Sequence, residues 1–404
     1  MRAVELFTGA GGLGMGLSLA GFHPLAVVEW DRWACDTIRE NQRRDYPLVR
    51  GWPLHERDVR SFDFRSLTGD VDLVAGGPPC QPFSMGGKHQ AYDDQRDMFP
   101  VTVEAVRTLR PRAFIIENVK GLTRSAFANY YQYILLQLEF PEIVRHDAED
   151  WFAHFLRLQA ERTAGRRHAS RGLTYNVVPT LVNAANFGVP QKRERVFIVG
   201  IRSDLGIQWS FPEETHCSDA LLFDQWASGD YWDRHRIAMC YRPPKPRGID
   251  DKIARLKAKN SPAVARPWMT IRDAFQGLPD PEATDGGMRD HKFQAGARSY
   301  PGHTGSPFDL PAKTLKAGDH GVPGGENMLV KDDGSVRYFT IRESARLQTF
   351  PDGYVFHGSW TETMRQLGNA VPVTLAQIVA RSVAIKLIEH DLLTTEKIAL
   401  AAAQ

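Results

Sequence analysis

Cysteine is scarce in this chain: Cys35, Cys80, Cys217 and Cys240 are all that 404 residues contain. None stands close enough to another for a zinc clip, and a chain of this length needs no disulfides to build a core. A special cysteine should therefore be special by reactivity. A surplus of charge is also missing. The 50 basic and 48 acidic side chains leave a formal net charge of +2, which argues neither for nor against a nucleic-acid partner. No apolar run approaches the ~20 residues that span a bilayer. A strand-like segment, Ala3–Phe7, begins almost at the first residue, where a signal peptide would otherwise lie. No repeat is visible and no metal site is expected. These absences describe a soluble, cytoplasmic protein of ordinary composition.

What is present is a rhythm. Val4–Phe7, Leu25–Val28, Val71–Ala75, Ala113–Ile116, Val177–Val182 and Val196–Ile201 read as buried strands, and Gly14–Leu19 and Val101–Leu109 as helices between them. Such alternation predicts an α/β fold, a doubly wound and mostly parallel sheet with ligands at the carboxyl ends of its strands. Asp147–Ala164 reads as an inserted helix without chemistry. From about Arg202 the rhythm fades into Pro, Gly, Trp and basic residues, with a basic strip between Arg242 and Arg266 that suits phosphates or a solvated surface. Regular patterns return at Ile341–Thr349 and Pro372–Ile388. The organisation expected is a first domain of 1–201, a smaller loop-rich domain of 202–335, and a segment 336–404 that returns to the first.

The first strand runs into Thr8-Gly9-Ala10-Gly11-Gly12-Leu13-Gly14, a GxGxxG turn where a ligand can approach bare backbone. Glu29, ending the second strand, stands where a carboxylate holds ribose hydroxyls, and Trp30 offers a face to adenine. The motif alone does not choose between a nicotinamide dinucleotide and S-adenosylmethionine. Asp58 suits an adenine amino group, but only weakly as an isolated aspartate before a turn.

Gly76-Gly77-Pro78-Pro79-Cys80-Gln81-Pro82-Phe83-Ser84 is more decisive. Prolines bracket one thiol at the end of a buried strand, which stiffens its backbone and marks Cys80 as a nucleophile rather than packing. Its thiol, with an ordinary pKa near 8.5, needs help to ionise.

This string resembles the catalytic loop of the DNA (cytosine-5)-methyltransferases. Leu6–Gly12 resembles that family's S-adenosylmethionine loop, Ile116-Glu117-Asn118-Val119 its ENV motif, and Gln191-Lys192-Arg193-Glu194-Arg195 its QxRxR motif. Arg342-Glu343, Ala345–Gln348 and Gln366–Pro372 complete the set in the family's order, over almost the whole chain. Asp94–Phe99 departs from the expected D-x-R-G/N-x-L-F, with Met98 for leucine and one residue fewer.

The resemblance implies a Rossmann-like methyltransferase of bacterial restriction-modification type, using S-adenosylmethionine and releasing S-adenosylhomocysteine. Cys80 would attack carbon 6 of a cytosine flipped out of double-stranded DNA, making carbon 5 nucleophilic. Glu117 would protonate N3, Arg195 would contact O2 and phosphate, and Arg193 would brace Glu117 and the loop. Phe7, Gly9, Gly11, Glu29, Trp30, Asp58, Val59, Pro79 and Asn369 would line the cofactor site. Gln81, Ser84, Gln191, Lys316 and His320 are the candidate DNA contacts, Gln191 by ordering its loop, and 202–335 takes the place of the target-recognition domain. A monomer suits the resemblance, and a cognate restriction endonuclease is a natural companion. The rivals are a tRNA cytosine-5 methyltransferase with the same chemistry, a thiol-dependent NAD dehydrogenase, which leaves Gln191–Arg195 unexplained, and a binding protein that has lost catalysis.

Overall fold

The computed structural model describes residues 1–79, 97–164, 172–258, 265–283, 287–317 and 325–402. Cys80, Gln81, Ser84 and His320 lie outside the described residues.

Seven strands form the central sheet: β1 (Arg2–Leu6), β2 (His23–Glu29), β3 (Leu54–Glu56), β4 (Leu73–Gly76), β5 (Ala113–Val119), β6 (Tyr175–Asn183) and β7 (Glu194–Arg202). Their order is β3-β2-β1-β4-β5-β7-β6. The pairs among β1 to β5 are parallel, whereas β7 runs antiparallel to both β5 and β6. The expected mostly parallel sheet is thus present, with β7 reversed. The three-residue β3 is too short and too polar to stand out in the sequence.

Helices α1 (Gly12–Leu19), α2 (Arg32–Arg43), α3 (Phe99–Leu109) and α4 (Ala128–Glu139) connect the strands. On one side of the sheet Val4, Leu6, Val28, Val74, Phe114 and Ile116 pack with α3 and α4. On the other, Ala3, Leu73, Ala75, Ile115 and Val199 meet α1 and the C-terminal helix. Successive strand residues feed opposite layers, as pleating demands. The inserted helix forms as α5 (Trp151–Ala164), whose Phe155 and Leu158 join the first layer.

The sheet's order turns at β1 and β4, whose connections leave in opposite directions. This opens a crevice at their carboxyl ends, the usual ligand position in such folds. Gly76, at the end of β4, has no room for a side chain: a Cβ there would lie 2.7 Å from the Leu6 carbonyl oxygen.

The interval after β7 contains short pieces. They include β8 (His216–Cys217), α6 (Ser218–Phe223), α7 (Asp230–Arg234), α8 (Ile249–Ala258), β9 (Arg266–Pro267), α9 (Ile271–Ala274), β10 (Ser306–Pro307) and β11 (Met328–Val330). The chain continues through β12 (Val336–Tyr338), α10 (Ile341–Leu347), α11 (Trp360–Asn369) and α12 (Val373–Ala402). Two observations bear on the divisions at 201 and 335. Trp209 packs in the large core and its indole N–H donates to Ser382 at 3.1 Å. β12 pairs with β11 and so extends the smaller sheet past Ser335.

The C-terminal part corrects one expectation. Trp360–Leu400 is long and apolar enough, by length and composition, to cross a membrane. Here Val373, Leu375, Ala376, Val379, Val383 and Leu387 of α12 are buried in the core, which accounts for their apolarity. Gly16 of α1 makes that contact possible, since a Cβ there would come within 2.4 Å of the Ala376 Cβ.

Candidate active site

The glycine turn is built from strain and close packing. Phe7 leaves β1 with φ +57°, and Gly9 and Gly11 follow at +55° and +90°. A phenylalanine in the left-handed region costs on the order of 1 kcal/mol or more, and such strain gathers at ligand sites. The space a Gly9 Cβ would point into is open, so the turn offers bare backbone. Gly14 has another task. A Cβ there would collide with the Glu5 carboxylate at 2.2 Å, so the third glycine makes room for a buried acid. Burial pushes the pKa of Glu5 up to about 8, which keeps it a neutral acid near pH 7. An acidic residue inside an apolar strand is the one sequence signal that points to Glu5.

Glu29 sits buried at the end of β2. Its Oε2 accepts from Gly9 N–H at 2.7 Å, and Oε1 from the N–H groups of Trp30 at 2.9 Å and Asp31 at 2.8 Å. Burial raises its pKa, against the lowering effect of those three donors. Trp30 is 69% exposed beside it. Oε2 accepts one of the two hydrogen bonds an oxygen can take, which leaves a position for a ribose hydroxyl. With an exposed indole face and an open glycine turn alongside, these residues fit an adenosine-bearing cofactor.

Val59 is buried at the end of the same edge. Asp58 caps the turn after β3, and its carboxylate accepts from Arg60 Nε at 3.0 Å. Asp58 is therefore already engaged, with its pKa lowered chiefly by Arg60. Pro79 is partly buried after β4.

Asn369 ends α11 and is exposed. Two residues on, the Val371 carbonyl oxygen lies 2.3 Å from where a Gly12 Cβ would be. Tyr354 also donates its hydroxyl to the Ala10 carbonyl at 2.8 Å. The C-terminal segment thus returns to the glycine turn.

Antiparallel pairing of β5 with β7 brings Glu117 and Arg195 together. Glu117 stands opposite Phe197, and Val119 opposite Arg195, so Glu117 and Arg195 are diagonal neighbours on one face. Arg195 Nε lies 2.8 Å from Glu117 Oε1, with both side chains about nine-tenths buried. Burial raises the Glu117 pKa, while Arg195 and then Arg193 oppose the rise. The chain leaving β4 passes here. A Gly77 Cβ would lie 3.3 Å from Glu117 Oε2, and Asn118 Nδ2 donates to the Pro78 carbonyl at 3.1 Å. The ENV and Pro-Pro-Cys motifs are therefore neighbours in space.

Arg193 and Gln191 are both fully buried. Arg193 makes its hydrogen bonds to main-chain carbonyls: Leu315 at 3.1 Å, Gly368 at 2.7 Å and Ala370 at 2.9 Å. Burial, and then the like charge of Arg195, hold its pKa well below the usual arginine range. It touches Glu117 through its field and clamps the interval after β7 to the C-terminal segment. The Gln191 amide donates to Leu347 O and Gln348 Oε1, and its Oε1 accepts from Leu315 N–H at 2.9 Å. With those polar atoms engaged inside the protein, Gln191 orders its loop.

Lys316 is exposed and pairs with Glu326 at 2.8 Å, while Asn327 brackets its main chain through both N–H and C=O. Arg342 and Glu343 are also architectural. Glu343 completes a capping box with Thr340 and holds Arg337 at 2.6 and 2.7 Å. Arg342 donates to the Tyr354 carbonyl at 2.8 Å.

Gly368 explains the glycine in Gln366-Leu367-Gly368-Asn369. A Cβ there would lie 2.3 Å from Ala317 N and 2.5 Å from the Lys316 carbonyl carbon, both main chain and unable to yield. Gly368→Ala is expected to cost about 1–3 kcal/mol by overpacking. A lowered urea midpoint at unchanged slope would show it; a wild-type midpoint would mean that the two segments separate freely.

A glycine turn beside a buried acid, at the switch point of a doubly wound sheet, is the architecture of a Rossmann-like fold that suits a nucleotide cofactor. A buried Glu–Arg pair adjoins it. Comparison with known proteins makes the class specific. Residues 1–141 and 168–384 match the model of the C-5 cytosine-specific DNA methylase family, and the chain belongs to that family. It is an S-adenosylmethionine-dependent DNA cytosine-5 methyltransferase.

The chain is 30% identical to the type II methyltransferase M.PspPI of Psychrobacter sp. (strain TA137) and 30% identical to M.Eco47II of Escherichia coli. Each alignment covers 94% of this chain and 78% of the relative. Among solved structures, a protein described as a DNA modification methyltransferase encoded within an E. coli prophage superposes with a TM-score of 0.56. It is 19% identical, over 96% of this chain and 99% of that one. A Spodoptera frugiperda DNMT2 variant gives 0.56 at 16% identity, over 95% and 99%. These two likenesses concern the fold. The family match skips 142–167, which contains α5, so the inserted helix is a departure from the family pattern.

Proposed function

We propose that the enzyme modifies one cytosine within a specific sequence of double-stranded DNA, as the methyltransferase of a type II restriction-modification system in the bacterial cytoplasm. The observation that carries the chemical reading is the buried Glu117–Arg195 pair, set beside the exit of β4 that leads to Cys80.

The residues divide the work as follows. Cytosine carbon 5 is a poor nucleophile while the ring is aromatic. Cys80 Sγ bonds to carbon 6 of the flipped-out base, and the displaced electron pair is met at N3 by a proton from Glu117. Burial favours the protonated Glu117 that this requires. Arg195, anchored on β7, holds the carboxyl and faces the base, while Arg193 supports the pair from behind. Carbon 5 becomes enamine-like; after methylation its proton is lost to solvent, the Cys80 thiolate is expelled, and N3 returns its proton to Glu117, which restores the ring. S-adenosylmethionine, when bound, supplies the activated methyl group. Glu29 and Trp30 would hold its ribose and adenine, with Asp58, Val59, Pro79 and Asn369 around them.

Target recognition falls to the interval after β7, with its basic strip and Lys316 at the junction with Gly368. Side chains there would read base edges, and phosphate contacts would set the register. Gln81, Ser84 and His320 remain proposed DNA contacts on sequence grounds.

The direct test is transfer of labelled methyl from S-adenosylmethionine to matched duplex DNA and tRNA, with bisulfite sequencing of the DNA. Methylcytosine at one recurring duplex sequence is expected. Label on tRNA alone would overturn the DNA reading.

A further inference from the structure

The Glu29–Trp30–Asp31 turn is tied to helix α11 by an ion pair that the cofactor reading does not use. Asp31 serves three elements at once. Its N–H donates to Glu29 Oε1 at 2.8 Å, its Oδ1 caps α2 by accepting from Ala34 N–H at 2.9 Å, and its Oδ2 accepts from Arg365 Nη2 at 2.7 Å. Arg365 is itself oriented by Glu362, whose Oε2 accepts from Nε at 3.0 Å and Nη2 at 2.6 Å. Both partners of the Asp31–Arg365 pair are about one-third exposed or less.

We infer that Arg365 is a positioning residue for the cofactor: by fixing Asp31 it holds the turn in which Glu29 meets ribose and Trp30 meets adenine. The inference rests on the reading that Glu29 and Trp30 bind the cofactor. Its physical basis is preorganisation. Trp30 is largely exposed, so its direction depends on the main chain of the turn, and each degree of freedom removed beforehand need not be lost on binding.

The ion pair is separable from the docking of α11. That docking has its own bond, Thr37 Oγ1 to Gln366 Oε1 at 2.7 Å, and the chain just before the helix is held by His357 N–H to Thr37 Oγ1 at 2.9 Å and a Trp33–His357 stack at 5.7 Å. Removing Arg365 therefore leaves the helix in place and frees the turn.

Asp31→Asn removes the charge and keeps a side-chain oxygen able to cap α2. Arg365→Met removes the guanidinium and keeps an apolar stem. Titration calorimetry with S-adenosylhomocysteine, in the absence of DNA, reads the effect without turnover. Each single variant is expected to bind about fivefold more weakly, as befits a partly exposed ion pair. The double variant should bind no more weakly than either single one, because both delete the same interaction. Arg365→Lys should recover part of the loss, while KM for DNA stays unchanged.

Wild-type binding by both single variants, or strictly additive losses, would overturn the inference. Equal losses for DNA and cofactor would do the same. Glu29→Gln separates the two levels. If it binds S-adenosylhomocysteine like wild type, the cofactor reading itself is wrong. If it binds weakly while Arg365→Met does not, the cofactor reading stands and the role of Arg365 falls.

Discussion

Cys80→Ser is expected to lower methyl transfer by on the order of a thousandfold or more while leaving DNA affinity within a few-fold of wild type. The thiolate is both the stronger nucleophile and the better leaving group at carbon 6, and a serine hydroxyl matches it in neither step. Binding, by contrast, depends on phosphate contacts and base-edge contacts that the sulfur does not make. Single-turnover rates together with DNA retention on filters would separate the two. A folded Cys80→Ser protein that loses DNA binding as severely as turnover would show that the thiol's surroundings, rather than its chemistry, had been disturbed.

The second large effect concerns Glu117. Glu117→Gln keeps the shape and a hydrogen-bond donor for N3 but cannot deliver a proton. Loss of general-acid catalysis is worth typically 10²–10⁴-fold in kcat. The pH profile gives the sharper test. Burial holds the Glu117 pKa above the ordinary carboxylate value of 4.5. The active form is the protonated one, so the wild-type rate should fall as pH rises through that raised pKa. The glutamine variant should lack this limb and keep only the limb that rises with pH as Cys80 ionises. The same shift acts on stability. Protonated Glu117 favours the folded state, and this contribution is greatest below pH 4.5 and is lost as pH climbs through the folded-state pKa. An unchanged alkaline limb in Glu117→Gln would remove Glu117 from the role of acid.

Some of the remaining assignments stood on less. The basic strip and Lys316 indicate a nucleic-acid surface only through their charge, and Lys316 is occupied by Glu326 in this structure. Gln191 shows how the partners of a motif residue come from elsewhere. Its loop-ordering role was legible in the motif, but that Leu315 and Gln348, more than a hundred residues away, are what it holds was not.

The amino-acid sequence by itself determined the alternation of apolar strands and helices, the glycine turn after β1 and the acid at the end of β2. It also determined the placement of Cys80 among prolines and the Arg193–Arg195 spacing. These are local matters of periodicity, backbone freedom and side-chain type, which a single segment carries alone. Only the tertiary structure decided that β7 runs backwards, which makes Arg195 the diagonal neighbour of Glu117. It also decided that Arg193 clamps three carbonyls from two distant segments, that Gly368 lacks a side chain because of Ala317, and that Arg365 reaches Asp31. The physical reason is common to these cases. Each depends on what a side chain meets across a long loop of chain, and burial and partners reverse the role that residue type alone suggests.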